Sequence, residues 1–128
     1  MKTQINPQDT SRAEAFNLWL SSPMPMVTLT KTFNVSNLLK QSKKLNISFN
    51  ALLCWCIGKA ASQIEEFYLL IEKDKLYKYD KIAINVIVNN KKGGINSCDI
   101  AFKEDLTQFV KDYTQLTQRT SQENKSNF

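Results

Sequence analysis

The spacing of apolar and polar residues divides the chain into alternating helical and extended stretches. Residues 1–9 carry no period and read as an irregular arm. Thr10 or Ser11 can cap a helix, with Glu14 three residues after Ser11 as in a capping box. In the helix from Arg12 to Ser21, Phe16, Trp19 and Leu20 then share one face. Pro23 and Pro25 end it. Met26 to Phe33 alternates and is rich in β-branched residues, which predicts a strand. A short helix follows over 36–44, with Asn34 and Ser36 as cap candidates and Leu38 and Leu39 inward. Ser48 opens the most apolar stretch. Over Phe49 to Ile64 a buried helix is predicted, with Phe49, Leu52, Leu53, Cys56, Ile57, Ala60 and Ile64 inward.

Beyond Glu65-Glu66 the period changes from helical to extended. Residues 68–71 and 76–79 flank a polar turn and read as a hairpin. Lys81 to Val88 alternates through Ile82, Ile84, Val86 and Val88. Asn89 to Gly94 is a strong turn signal, and Ile95 to Phe102 a further strand. A helix from Asp105 to Leu116 carries Leu106, Phe109, Val110, Tyr113 and Leu116 on one face. From Thr117 the chain is polar. The predicted order is αβααββββα: an α/β (α+β) fold, a mixed sheet with helices packed on it. The organisation is a domain over residues 1–116 and a polar tail over 117–128.

Composition changes this picture in three ways. The 128 residues suffice for one ordinary domain, and 42% of them are hydrophobic, enough for a core. The net charge of +5 rests mainly on lysines spread along the chain and mixed with Glu72, Asp74 and Asp80. That is a solvated surface rather than the continuous basic, aromatic-studded face of a nucleic-acid binder. The polar N-terminus is not a signal peptide, and no apolar run is long enough for a membrane span. With three cysteines and no such signal, the chain reads as cytoplasmic with reduced thiols, binding neither nucleic acid nor membrane.

The candidate chemistry is sparse. The chain contains no histidine, so histidine-based catalysis and the usual activating base for a cysteine nucleophile are both absent. Cys54 and Cys56 stand two apart on a helix and do not share a face, so no metal site is expected. They read as small buried hydrophobes. Glu65, Glu66 and Asp74 sit at a helix end and a hairpin tip, where solvated carboxylates are common. Lys91-Lys92-Gly93-Gly94 lacks a phosphate-loop pattern and reads as a turn. Trp19, beside Pro23-Met24-Pro25-Met26, could line an apolar pocket or belong to a core.

One succession of residues carries more. It runs Arg12-x-Glu14-x-Phe16, then Leu39-Lys40-x-x-Lys43-Lys44, then Phe49 opening the long helix and Glu66-Phe67 closing it. Leu76-x-x-Tyr79-Asp80 and Asp105-x-x-Gln108-Phe109 follow. From Arg12 to Gln115 the order and spacing resemble the N-terminal half of the chloramphenicol acetyltransferase family. The resemblance implies acetyl transfer from acetyl-CoA to a hydroxyl of chloramphenicol, hence antibiotic resistance, in homotrimers with active sites between subunits. It implies a general-base histidine in a C-terminal HHxxxDG motif, which this sequence lacks. A chain truncated before that histidine is expected to be inactive alone.

The resemblance places Arg12 as a structural residue that pairs with the aspartate of that motif. It places Trp19, Pro25 and Val27 in the wall of the antibiotic pocket. Ile95-Asn96-Ser97 departs from the family's usual phenylalanine, so the acceptor is chloramphenicol or a similar hydroxyl compound. The alternative is a small binding module that uses half of the fold for an apolar ligand or a partner subunit.

Overall fold

A computed structural model describes residues 1–127. The elements run β1 (Lys2–Ile5), α1 (Ala13–Leu20), α2 (Ser36–Leu45), α3 (Phe49–Ser62), β2 (Leu69–Glu72), β3 (Lys75–Tyr79), β4 (Ala83–Asn89), β5 (Ile95–Ala101) and α4 (Leu106–Ser121). Short 3₁₀ turns lie at Pro7–Asp9 and Glu65–Tyr68. The class is α/β, as the periodicity predicts. The strands form two antiparallel sheets, ordered β1-β3-β2 and β4-β5. The chain divides into two compact units. The first combines Met1–Asn34 with Glu65–Asp80, and the second Val35–Ile64 with the chain from Lys81 onwards.

In the first unit, the hairpin β2-β3 turns on Lys73 and Asp74, both at positive φ (50° and 63°). That is the backbone twist a two-residue hairpin requires. β1 then adds to the other side of β3, with Lys2 opposite Tyr79 and Ile5 opposite Leu76. The segment expected to be an irregular arm is therefore partly a strand. Its sequence shows no alternation because it is made by its partner. Lys2 pairs with Glu72 and lies 4.6 Å over the Tyr77 ring, and the N-terminal amine pairs with Asp80 at 2.9 Å.

The strand expected over Met26 to Phe33 does not form. The segment is outside every helix and strand, with Leu29 90% exposed and Phe33 69%. Alternating β-branched residues favour extended backbone, but a strand needs a neighbour for its N–H and C=O groups. No strand of the described residues pairs with it.

The second unit holds the closed core. Ile84, Val86 and Val88 of β4 and Cys98 and Ile100 of β5 point to one face. There they meet Cys54 and Trp55 of α3 and Phe109, Tyr113 and Leu116 of α4. Phe109 and Ile100 are wholly buried. Ser48 caps α3 by accepting from the Ala51 N–H, and Asp105 caps α4 through Gln108. Asn46 ends α2 in the left-handed conformation (φ 54°).

The buried face of α3 is only partly the expected one. Ala51, Leu52, Cys54 and Gly58 are inside, whereas Ile57 and Ile64 are exposed. This helix is apolar on nearly every side, so its period could not choose a face. Gly58 can, because a Cβ there would stand 2.6 Å from the Phe102 ring and 2.8 Å from Ile84. The absence of a side chain there lets α3 approach the Phe102 and Ile84 side chains closely. α4 also runs to Ser121, five residues beyond the expected end at Leu116, and Thr120 is buried. The polar residues after Thr117 are thus helical for a further turn, held by side-chain bonds to carbonyls that polarity alone does not reveal.

Candidate functional site

In the first unit, α1 and the β2-β3 hairpin enclose a cleft of about 210 Å³. Ala15, Phe16 and Trp19 supply one wall, Trp19 lying four and three residues after the other two and so on the same side of the helix. Leu69, Ile71 and Leu76 supply the other, and Arg12 and Glu66 complete the lining. A polar recess of about 220 Å³ adjoins it, lined by Asp9, Thr10, Ser11, Arg12, Glu65, Glu66 and Leu69. Arg12, Glu66 and Leu69 belong to both.

The residues around Arg12 explain its position. Thr10 Oγ1 accepts from the Arg12 N–H at 3.1 Å and donates to the Pro7 C=O at 2.8 Å. Arg12 itself occupies the N-cap of α1, with no side-chain cap bond. Thr10, not Ser11, therefore shapes the entry to the helix. Glu65 pairs with Lys78 at 3.0 Å, while its neighbour Glu66 lines the cleft. The result is an apolar slot with a guanidinium and a carboxylate among its lining groups. Such a slot can hold an apolar or aromatic molecule and orient its polar substituents. It contains no histidine, cysteine or lysine to act as nucleophile or neutral base.

Of the residues singled out from sequence, Arg12 and Trp19 line this cleft together. Pro25 and Val27 do not line it; both are exposed in the irregular segment that precedes α2. Glu66 and the hairpin residues Leu69, Ile71 and Leu76 are additions that spacing did not offer. Glu66 stood out as one of a carboxylate pair and in the family succession, but not as a site residue, and no sequence period reveals which hairpin residues face a helix.

The cysteines are not part of this site. Burial pushes the Cys54 thiol up, and Cys56 likewise. Both therefore stay protonated and unreactive at neutral pH. Among the described residues no group of three or more histidine, cysteine, aspartate or glutamate side chains is placed to hold a metal ion. No helix of the described residues is long and apolar enough to cross a membrane.

The sequence model of the chloramphenicol acetyltransferase family matches residues 2–128. The chain belongs to that family. A solved structure of a chloramphenicol acetyltransferase superposes with a TM-score of 0.80 at 21% identity, over 90% of this chain. At that identity the likeness carries the fold. The chain spans 55% of that protein's length. No curated protein sequence matches it. The family is one of acyltransferases, and the arrangement of helices and small antiparallel sheets is its fold.

Proposed function

We propose that these 128 residues form the acceptor-binding part of a chloramphenicol O-acetyltransferase. In this reading the cleft of the first unit receives chloramphenicol or a similar hydroxyl compound. The observation that carries it is the meeting of Trp19 and Arg12 in one apolar slot, in a chain of this family. Phe16 and Trp19 offer aromatic surface to an aromatic acceptor, a contact worth about 0.5–1.5 kcal/mol beyond burial alone. Arg12 takes a structural part at the slot's polar end. Pro25 and Val27 belong to the same wall only if the segment that carries them moves over the bound acceptor.

Acetyl-CoA is the donor in this reading, the cytoplasm the compartment and a homotrimer the assembly. The transfer itself requires a base to take the acceptor's hydroxyl proton as its oxygen attacks the thioester carbon. In the family that base is a histidine, and its contribution is typically ~10²–10⁴-fold. With no histidine in the chain, we assign it binding and no acetyl transfer when alone. A slot that offers orienting groups without a base equally suits a binding module.

Calorimetric titration of the chain with chloramphenicol tests the reading. Trp19→Ala should weaken binding by roughly tenfold, the scale of a lost aromatic contact. Equal binding by the variant, or none by the unaltered chain, would remove chloramphenicol from the cleft. Thioester cleavage dependent on both chloramphenicol and this chain, at the rate of a complete enzyme, would overturn the inactive assignment.

A further inference from the structure

Among the described residues, β5 has a partner strand on one side only. In an antiparallel pair the N–H and C=O of one residue point the same way, and the direction alternates along the strand. Ile82 C=O accepts from the Phe102 N–H at 3.0 Å, so Asn96, Cys98, Ile100 and Phe102 face β4. Ile95, Ser97, Asp99 and Ala101 therefore turn their backbone groups to the outer edge. An open edge of this kind is a template for another strand.

The chain's own last described residues lie on that edge. Asn127 Oδ1 accepts from the Ser97 N–H at 2.8 Å, and Asn127 Nδ2 donates to the Ser97 C=O at 2.8 Å. Those are the two bonds that a residue of an adjacent antiparallel strand would make. One carboxamide thus reproduces a paired peptide. Ser126 Oγ donates to the Ile95 C=O at 2.7 Å, which takes the next outward group.

The segment is anchored from inside the fold. Asn96 is wholly buried. Its Oδ1 accepts from the Asn127 N–H at 3.1 Å, and its Nδ2 donates to Glu123 Oε2 at 3.0 Å, just past the end of α4. Gly94 leaves the room required, since a Cβ there would stand 3.2 Å from Ser126 Oγ. The remaining outward stretch begins at Asp99, a charged residue of the kind that discourages strand addition. The segment covers the part of the edge that has no charge of its own.

We infer that Ser126 and Asn127 form a strap over the outer edge of β5 that keeps a further strand from adding there. The strand excluded in the simplest case belongs to a second copy of this chain. The test compares the full chain with Asn127→Ala, reading hydrogen exchange at the Ser97 amide and sedimentation velocity over a range of concentrations. Exchange at Ser97 should rise roughly tenfold, the factor for one lost hydrogen bond, and larger species should appear at lower concentration. Asn127→Asp keeps the acceptor for the Ser97 N–H and loses the donor. It should fall between the two in sedimentation. Unchanged exchange in Asn127→Ala would mean that the strap does not hold the edge. Faster exchange with unchanged sedimentation would mean that it holds the edge but guards nothing.

Discussion

The two units handle the same kind of hydrophobic pattern differently. In the second, the inward apolar residues of β4 and β5 cluster with residues of α3 and α4, and the result is a closed core around Ile100 and Phe109. In the first, Leu76 is the only buried hydrophobic residue among those described. α1 buries none of its residues, and the apolar residues from Met24 to Phe33 are exposed. A sheet or helix face becomes core only where a second layer covers it. Where the cover is partial, the same residues line a cleft. In the unit with the poorer core, the partly covered face is the cleft that Arg12 and Trp19 line.

Three changes would break or sharpen this contrast. The largest effect belongs to Phe109→Ala. Removing a wholly buried ring should cost about 3–5 kcal/mol. Urea unfolding read by Trp55 fluorescence should show it. Trp55 is the suitable probe because its indole N–H donates to the Lys103 C=O at 3.0 Å, beside that core. A loss below about 1 kcal/mol, the range of an ordinary surface change, would mean that the core is not closed.

Gly58→Ala should come next. In an open helix this substitution stabilises by roughly 0.5–1 kcal/mol. Here the new methyl meets the Phe102 and Ile84 side chains, and overpacking typically costs about 1–3 kcal/mol. The sign of the change in the unfolding midpoint decides: net stabilisation would show that α3 is free to shift away from the sheet.

The smallest effect concerns the first unit, where ionic contacts stand in for packing. The Lys2 ammonium, and then the Tyr79 hydroxyl, hold the Glu72 carboxyl below its usual range. A depressed folded-state carboxyl stabilises above its unfolded titration, and the gain is lost as pH falls through the folded one. Lys2 and Tyr79 are both raised, chiefly by Glu72. Their contribution is present below their unfolded titrations and lost as pH rises through the raised ones. β1 should therefore hold to β3 between the carboxylate range and the alkaline range, and loosen beyond either. NMR shifts of Thr3 and Gln4 against pH should follow this window in the unaltered chain. In Glu72→Gln the acid limb should vanish. An acid limb that survives would mean that Glu72 does not set it.

Much of the second unit was legible beforehand. The alternation of Ile82, Ile84, Val86 and Val88, the Asn89–Gly94 turn and the Ser48 cap follow from local physics: a side-chain period of two, a turn that favours glycine, and an orphan N–H that a hydroxyl satisfies. The candidate site was legible only in part. Trp19 and Phe16 share a helix face by spacing, and Arg12 came through the family resemblance. Leu69, Ile71 and Glu66 joined them only when the hairpin closed over that face.

The errors have one cause. Met26 to Phe33 has the composition of a strand and no partner; Lys2 to Ile5 lacks the composition and has one. The exposed side of α3, the last turn of α4 and the Asn127 strap are of the same kind. The sequence by itself determined the periods, the caps, the turns and the absence of a histidine, because each depends on neighbours within a few residues. Which strands pair, which face of an all-round apolar helix is covered and which residues surround the cleft depend on groups distant along the chain. Only the tertiary structure decided those, because a hydrogen bond or a buried surface requires both of its members.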